Sequence, residues 1–238
     1  MATPVILDSV THHDLRVIDR YGAGFGDATN QMPVFPGEFT ELQREYPIFF
    51  RPVDGDSFQP IALLGLGPQE NLYLKGDHWD ARYIPALRQR GPLLLGEDTQ
   101  TPDLYIDLSH PLVSRSEGTP LFLPHGGQTP PLERARQALH LIRQGRDRLP
   151  DLFAAFTETA LLAPVKVELR LNDGSQFRLP DLFTISAQGL SELSAAQLAY
   201  LHGKGYLALA FQVVNSVNNL QYLINVKNRQ TAAVQETV

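Results

Sequence analysis

The sequence predicts an α+β fold: a β-rich N-terminal half packed against a mainly helical C-terminal half with one β-hairpin. Three observations carry this. Before about Ser109 the apolar residues come in short runs rich in Val, Ile, Phe, Leu and Tyr, bounded by Pro, Gly and Asp. After about Pro131 they recur every three or four residues, the helical repeat. Inside the helical half a single stretch alternates with period two and then meets Asn172-Asp173-Gly174-Ser175, a strong reverse-turn signal. Residues 1–128 are therefore read as the β-rich part and 129–238 as the helical part with the hairpin, expected to close into one compact unit.

In chain order the candidate strands are Val5–Asp8, Leu15–Ile18, Ile48–Arg51, Pro60–Leu64, Leu93–Leu95 and Leu104–Ile106, with a helical turn or two at Thr40–Arg44. Several of these runs are apolar throughout, which predicts strands covered on both faces. The segment Ser109–Pro131 holds five prolines together with Gly118, Gly126 and Gly127, so it reads as an ordered but irregular crossing. Leu132, Ala135, Leu139, Ile142, Leu149, Phe153, Phe156 and Ala160 then follow helical spacing, interrupted at Gly145 and Pro150, which predicts two helices or one kinked helix. Val165–Leu171 and Gln176–Leu179 are the arms of the hairpin. Ser194-Ala195-Ala196-Gln197 is a capping box that opens a helix to about Lys204. After Gly203 and Gly205 a last helix runs from about Leu207 to Ile224. Its apolar residues cover most of its circumference, so it is expected to be wrapped by the β part, by the Leu132–Ala160 helix or by a second subunit, and truncating Phe211 or Leu220 is expected to cost about 2–5 kcal/mol or to dissociate an oligomer.

Composition excludes several function classes. Twenty basic against 26 acidic residues, a net charge of -6, disfavour a nucleic-acid partner, because phosphate-backbone affinity comes from clustered Lys and Arg. The chain has no cysteine, which removes disulfides, thiolate nucleophiles and zinc-thiolate or cysteine-ligated iron-sulfur sites together. No stretch is long and apolar enough for a membrane span; the densest, Tyr206–Val214, is interrupted by Gln212. The stretch from Met1 to Asp8 has no basic region and no complete apolar core of a secretion signal, so a soluble, cytoplasmic protein is expected.

Motifs with catalytic content are sparse. There is no Gly-x-Ser-x-Gly elbow and no Ser-x-x-Lys, and His110, His125 and Asp107 have no local partner pattern. His78 and Asp80, set as His-x-Asp, resemble two ligands of a facial iron triad that His125, His140 or His202 would complete, but two residues in a polar turn after Gly76-Asp77 are the better reading, and neither metal nor cofactor is expected. His12 and His13, being adjacent, point to opposite sides of an extended chain. Gly22-Ala23-Gly24-Phe25-Gly26 departs from phosphate-loop spacing and reads as a plain loop. The carboxylate pairs Glu97-Asp98 and Asp147/Asp151, and the arginines at 134, 136, 143, 146 and 148, read as solvated charge.

The most informative block is Tyr46-Pro47-Ile48-Phe49-Phe50-Arg51-Pro52, followed by Phe58-Gln59-Pro60-Ile61-Ala62-Leu63-Leu64-Gly65-Leu66 and Trp79-Asp80-Ala81-Arg82-Tyr83-Ile84-Pro85-Ala86-Leu87. With Phe35–Phe39, Gly65–Tyr73, Leu104–Asp107, Ser116–Gly118, Pro120–Phe122, Leu182–Ile185 and Leu190–Leu193, it resembles the SapC family from about His13 to about Leu223. The chain departs from the family pattern at Arg88-Gln89-Arg90-Gly91-Pro92-Leu93, where a basic segment ending in an aromatic Tyr-Pro-Phe-like triplet is expected. The resemblance implies a bacterial protein without a catalytic motif of agreed mechanism, and the reading favoured from the residues is a non-catalytic binding or accessory protein whose apolar C-terminal helix and aromatic Trp79–Tyr83 region meet a partner or pack a dimer. Its aromatic region supplies the candidate binding residues Trp79, Arg82, Tyr83 and Arg88, directed at a protein partner or a homodimer. The alternatives it leaves open are an iron-dependent oxygenase-like enzyme using His78 and Asp80, or a surface-layer-associated component.

Overall fold

The computed structural model describes residues 3–53, 57–96 and 103–235. Its elements, in order, are β1 (Val5–Ile6), β2 (Arg16–Val17), β3 (Gln31–Pro33), α1 (Phe39–Leu42), β4 (Ile48–Pro52), β5 (Phe58–Leu63), β6 (Leu74–Lys75) and β7 (His78–Trp79). Then come α2 (Ala86–Gln89), β8 (Leu93–Leu95), β9 (Leu104–Ile106), β10 (Val113–Ser114), β11 (Thr119–Pro120) and α3 (Pro130–Glu158). The chain finishes with β12 (Leu162–Arg170), β13 (Gln176–Ile185), α4 (Ala187–Ser191), α5 (Ala195–Gly203), α6 (Tyr206–Ser216) and α7 (Leu220–Gln235). The class is α+β, with a β-rich N-terminal half and a mainly helical C-terminal half.

Two units interleave along the chain. The first comprises Met1–Asp27, Leu74–Asp80 and Ile84–Arg143. It contains the antiparallel sheets β1-β9-β8 and β10-β2-β11 and the hairpin β6-β7. None of these strands exceeds three residues, so little of this unit's stability comes from ladder hydrogen bonds. Its core is instead side-chain packing: Leu15, Leu93, Leu104, Ile106 and Leu121 meet Leu132, Ala135 and Leu139, one face of the first half of α3.

The second unit comprises Ala28–Tyr73, Ala81–Tyr83 and Gln144–Val238. It holds one five-stranded antiparallel sheet, in the order β12-β13-β4-β5-β3. The predicted hairpin is present and longer than its sequence signal, and β13 joins it to the strands of the N-terminal half through Phe183 opposite Phe50. Ile48, Phe49 and Phe50 are all fully buried, as a strand without alternation requires. Phe50 and Phe58 meet Phe153 on α3 at 5.0 and 5.3 Å between ring centres.

Helix α3 is a single element through Gly145 and Pro150. Pro150 lies on the exposed side, where its missing N–H costs least. Gly145 is there for space: a Cβ at this position would stand 2.5 Å from the Cβ of Phe35. The predicted helix after Ser194 begins as expected, with the Ser194 hydroxyl accepting from Gln197 N–H. The last helix departs from its prediction. It divides at a 3-10 turn, Val217–Asn219, and α6 buries one face only, through Tyr206, Ala210, Val213 and Ser216. Phe211 is 48% exposed, so wrapping on nearly all sides does not hold for this chain alone, because β4, β13 and α1 approach α6 from the side of its buried face. Ser216 ties that face down: its Oγ accepts from the Ile48 N–H at 2.9 Å and donates to the Val213 carbonyl at 2.6 Å. Among the described residues no helix is long and apolar enough to cross a membrane.

Candidate functional site

Two of the four candidate binding residues, Trp79 and Arg88, lie in the first unit on either side of the Tyr21 ring. Residues Gly22 to Gly26 fold as a 3-10 turn closed by Gly26 in the left-handed region, φ 84°. The turn delivers Asp27, 1% exposed, into the interior. There its carboxylate accepts the Gly22 N–H at 2.9 Å and two bonds from Arg88, Nε at 2.5 Å and a terminal nitrogen at 3.2 Å. Arg88 also donates to the Arg20 carbonyl at 2.8 Å and lies over the Tyr21 ring, 4.6 Å from its centre. Tyr21 in turn stands edge-on to Trp79 at 5.8 Å. Burial, then the Asp19 carboxylate, raises the Tyr21 phenol above its ordinary pKa. Burial and then the Arg88 charge hold His110 below its ordinary value, and its Nδ1 accepts from the Leu112 N–H. The glycine-rich turn thus carries a carboxylate where a phosphate loop presents N–H groups to an anion, and Arg88 is committed to that carboxylate.

Arg82 and Tyr83 belong to the second unit. Glu45 accepts the Arg82 N–H with both oxygens at 3.0 Å and the Tyr83 N–H at 3.1 Å. Tyr46 donates its hydroxyl to the Tyr83 carbonyl at 2.6 Å, and the Tyr83 hydroxyl donates to Glu38 at 3.0 Å. Glu38, 1% exposed, uses its other oxygen to accept the Phe35 N–H at 2.8 Å, the capping interaction of the turn Pro36–Glu38. Tyr73 donates to the Glu45 carbonyl at 2.7 Å and packs against Tyr46 and Tyr222 with ring centres 4.5 and 5.2 Å apart. Burial, reinforced at Tyr83 by the Glu38 carboxylate, pushes both the Tyr73 and Tyr83 phenols far above their ordinary range. Neither is a base near neutral pH. The three residues Ala81–Tyr83 are thereby strapped down by backbone and hydroxyl contacts, while the Arg82 side chain stays exposed.

The weaker metal pair does not converge. β7 ends at Trp79, so Asp80 has already left the strand; it pairs with Lys75, and the exposed His78 pairs with Asp77. His125, His140 and His202 are exposed, and no group of three or more His, Asp or Glu among the described residues is placed to hold a metal ion. His12 and His13 sit in a turn, not a strand: His12 Nδ1 accepts the Asp8 N–H, and His13 Nδ1 lies 3.0 Å from the Val10 carbonyl. Asp147 and Asp151 are exposed on α3, and Glu97-Asp98 lies outside the described residues.

Sequence reasoning passed over Asp27, Glu38, Glu45 and Tyr73. A signal existed for Glu38, since Phe35-Pro36-Gly37-Glu38 places Pro at the first and Glu at the third position of a helical turn. None existed for Asp27, whose partner is 61 residues away. Sequence reasoning points to the apolar last helix as a second partner or dimer surface and passes over α5. α5 buries Leu201 alone, leaving Leu198 and Tyr200 38% and 40% exposed, and α6, which follows it after Lys204-Gly205, exposes Phe211. Leu198, Tyr200 and Phe211 are thus exposed apolar side chains on two consecutive helices.

A family model, SapC, matches residues 7–223. No curated protein and no solved structure matches the chain. The match spans nearly the whole 238-residue sequence, and the chain belongs to the SapC family.

Proposed function

We propose that this SapC family protein is a non-catalytic binding or accessory protein that engages a protein partner through the exposed apolar surface of α5 and α6. The observation that carries this reading is Phe211, 48% exposed on a helix whose opposite face is fixed in the core by Val213 and by the Ser216 hydrogen bonds. A rigid helix presenting an aromatic side chain to water gives a binding anchor at low entropic cost. The polar clusters support the same reading from the other side. Asp27, Arg88, Glu38, Glu45 and Tyr83 are engaged with one another or with backbone groups inside their own units, which suits holding a shape better than transferring protons. Trp79, Tyr83 and Arg88 serve this reading as scaffold, and Arg82 supplies an exposed guanidinium.

The test is site-specific photocrosslinking in cells. A photoreactive phenylalanine analogue at position 211 should give a discrete protein adduct, whereas the same group at Arg136, on the wet face of α3, should give none. Equal patterns from both positions, or no adduct from position 211, overturn the proposal.

A further inference from the structure

We propose that β12 is a self-association edge, on which a second copy of this chain pairs antiparallel about a two-fold axis at Val167 and continues the five-stranded sheet. β12 is nine residues long and lies at the end of the order β12-β13-β4-β5-β3, so among the described residues its outer side has no strand partner. Its alternation is unbroken. Lys166, Glu168 and Arg170 face water, Val167 is 6% exposed on the inner face, and the flanking Val165 and Leu169 remain only half-buried. The irregularity between Val165 and Val167 is taken up on the other strand, where Pro180-Asp181 stands opposite Lys166 and Asp181 has φ 56°. The outer edge is therefore a regular strand, a template for another.

Lys and Pro on an edge strand ordinarily discourage such pairing. Here the order Lys166-Val167-Glu168 reverses that effect for one register. Antiparallel pairing about Val167 places Lys166 opposite Glu168 of the second copy twice over, and sets Val165 opposite Leu169 on the inner face. Glu168 already faces Arg178 across the hairpin, with 3.3 Å between the charged groups, so the ladder reads Arg178, Glu168, then Lys166 of the second copy. Other centres do worse. An axis at Lys166 or at Glu168 sets like charges opposite each other, and an axis between residues turns the apolar face to water. An axis at Leu169 also joins unlike charges, Glu168 with Arg170, but overlaps the strands only from Glu168 to Arg170, against Pro164 to Arg170 for the Val167 axis. Exposed charge pairs are weak, so the ladder selects the register, while the main-chain bonds and the cover over Val165 and Leu169 supply most of the affinity.

This proposal does not depend on the α5 and α6 surface, and the experiment keeps the two apart. Light scattering of the intact chain over a concentration series should give a mass rising to twice 26.5 kDa. Lys166→Glu, which puts carboxylates opposite each other in both pairs, should weaken the dimer about tenfold. The triple variant Lys166→Glu/Glu168→Lys/Arg178→Glu, which reverses every charge of the ladder, should restore it, and Phe211→Ser should leave it unchanged. Circular dichroism checks that each variant is folded. A mass of one chain at every concentration overturns the proposal. So does a dimer that ignores Lys166→Glu, or a folded triple variant that stays as weak as the single one.

Discussion

Asp27 in the first unit and Glu38 in the second are buried to the same extent, 1% exposed each, and are satisfied by different means. Asp27 has a full counter-charge, the Arg88 guanidinium, drawn from a helix far along the chain. Glu38 accepts from an amide and a phenol, the Phe35 N–H and the Tyr83 hydroxyl. A carboxylate taken out of water needs either an opposite charge or several aligned dipoles, and the two solutions fail differently. Losing the guanidinium strands a charge. Losing the phenol removes one donor to the carboxylate and leaves the Phe35 N–H in place.

The largest expected effect follows at once. Arg88→Met should destabilise the protein by about 3–5 kcal/mol in denaturant unfolding, and Asp27→Asn added to it should recover much of the loss by removing the stranded charge. If Arg88→Met proves milder than any change at Tyr83, the contrast between the two acids is wrong. Tyr83→Phe should cost about 1–3 kcal/mol, the range for a buried acceptor that loses one partner, with Glu38 still capping Phe35.

Glu70 provides an intermediate case that sharpens the comparison. Burial alone would raise its pKa, but the Lys227 ammonium at 2.5 Å and the N–H groups of Leu66 and Gly67 outweigh it and hold the carboxyl below its ordinary value. A folded-state pKa below the unfolded one contributes stability that is complete above the unfolded pKa and is lost as pH falls through the folded pKa. Melting temperature should therefore decline more gently with acid in Lys227→Met than in the parent, in the window that starts near the ordinary value of 4.5 and runs downward. Parallel curves for the two proteins would show that Lys227 does not set the Glu70 titration.

The smallest effect is expected where burial is least. Phe211→Ser should shift stability by no more than about 0.5–1 kcal/mol, because a half-exposed ring loses little on truncation to a polar side chain. The same ring on a wrapped helix would cost several times that, so this measurement separates the one-faced α6 from the fully enclosed helix that its composition implies.

How much was legible follows from the range of each interaction. The hairpin was legible because alternation and an Asn-Asp-Gly turn act within fourteen or so residues of chain, about the span in which strand grammar is written. The α5 start was legible because a capping box closes over three residues. Of two helices or one kinked helix, the first is not realised, because α3 runs on through Gly145 and Pro150. A glycine in a helix reads as a break, and only the position of Phe35 shows that it is a close contact instead. Trp79, Arg82, Tyr83 and Arg88 stood out as an aromatic and basic cluster, yet their division between two units was invisible, since it depends on Asp27 and on Glu38 with Glu45, residues 37 to 61 positions away.

By itself the sequence determined the α+β class, the buried Ile48-Phe49-Phe50 strand, the hairpin and the absence of thiol chemistry, all properties of composition and short periods. Tertiary structure alone decided which face of α6 remains in water, which acid Arg88 neutralises and which strand ends the sheet. The physical reason is that hydrogen bonding and hydrophobic repeat act between near neighbours and leave their mark in residue order, whereas burial and charge pairing depend on which distant segments the finished fold brings together.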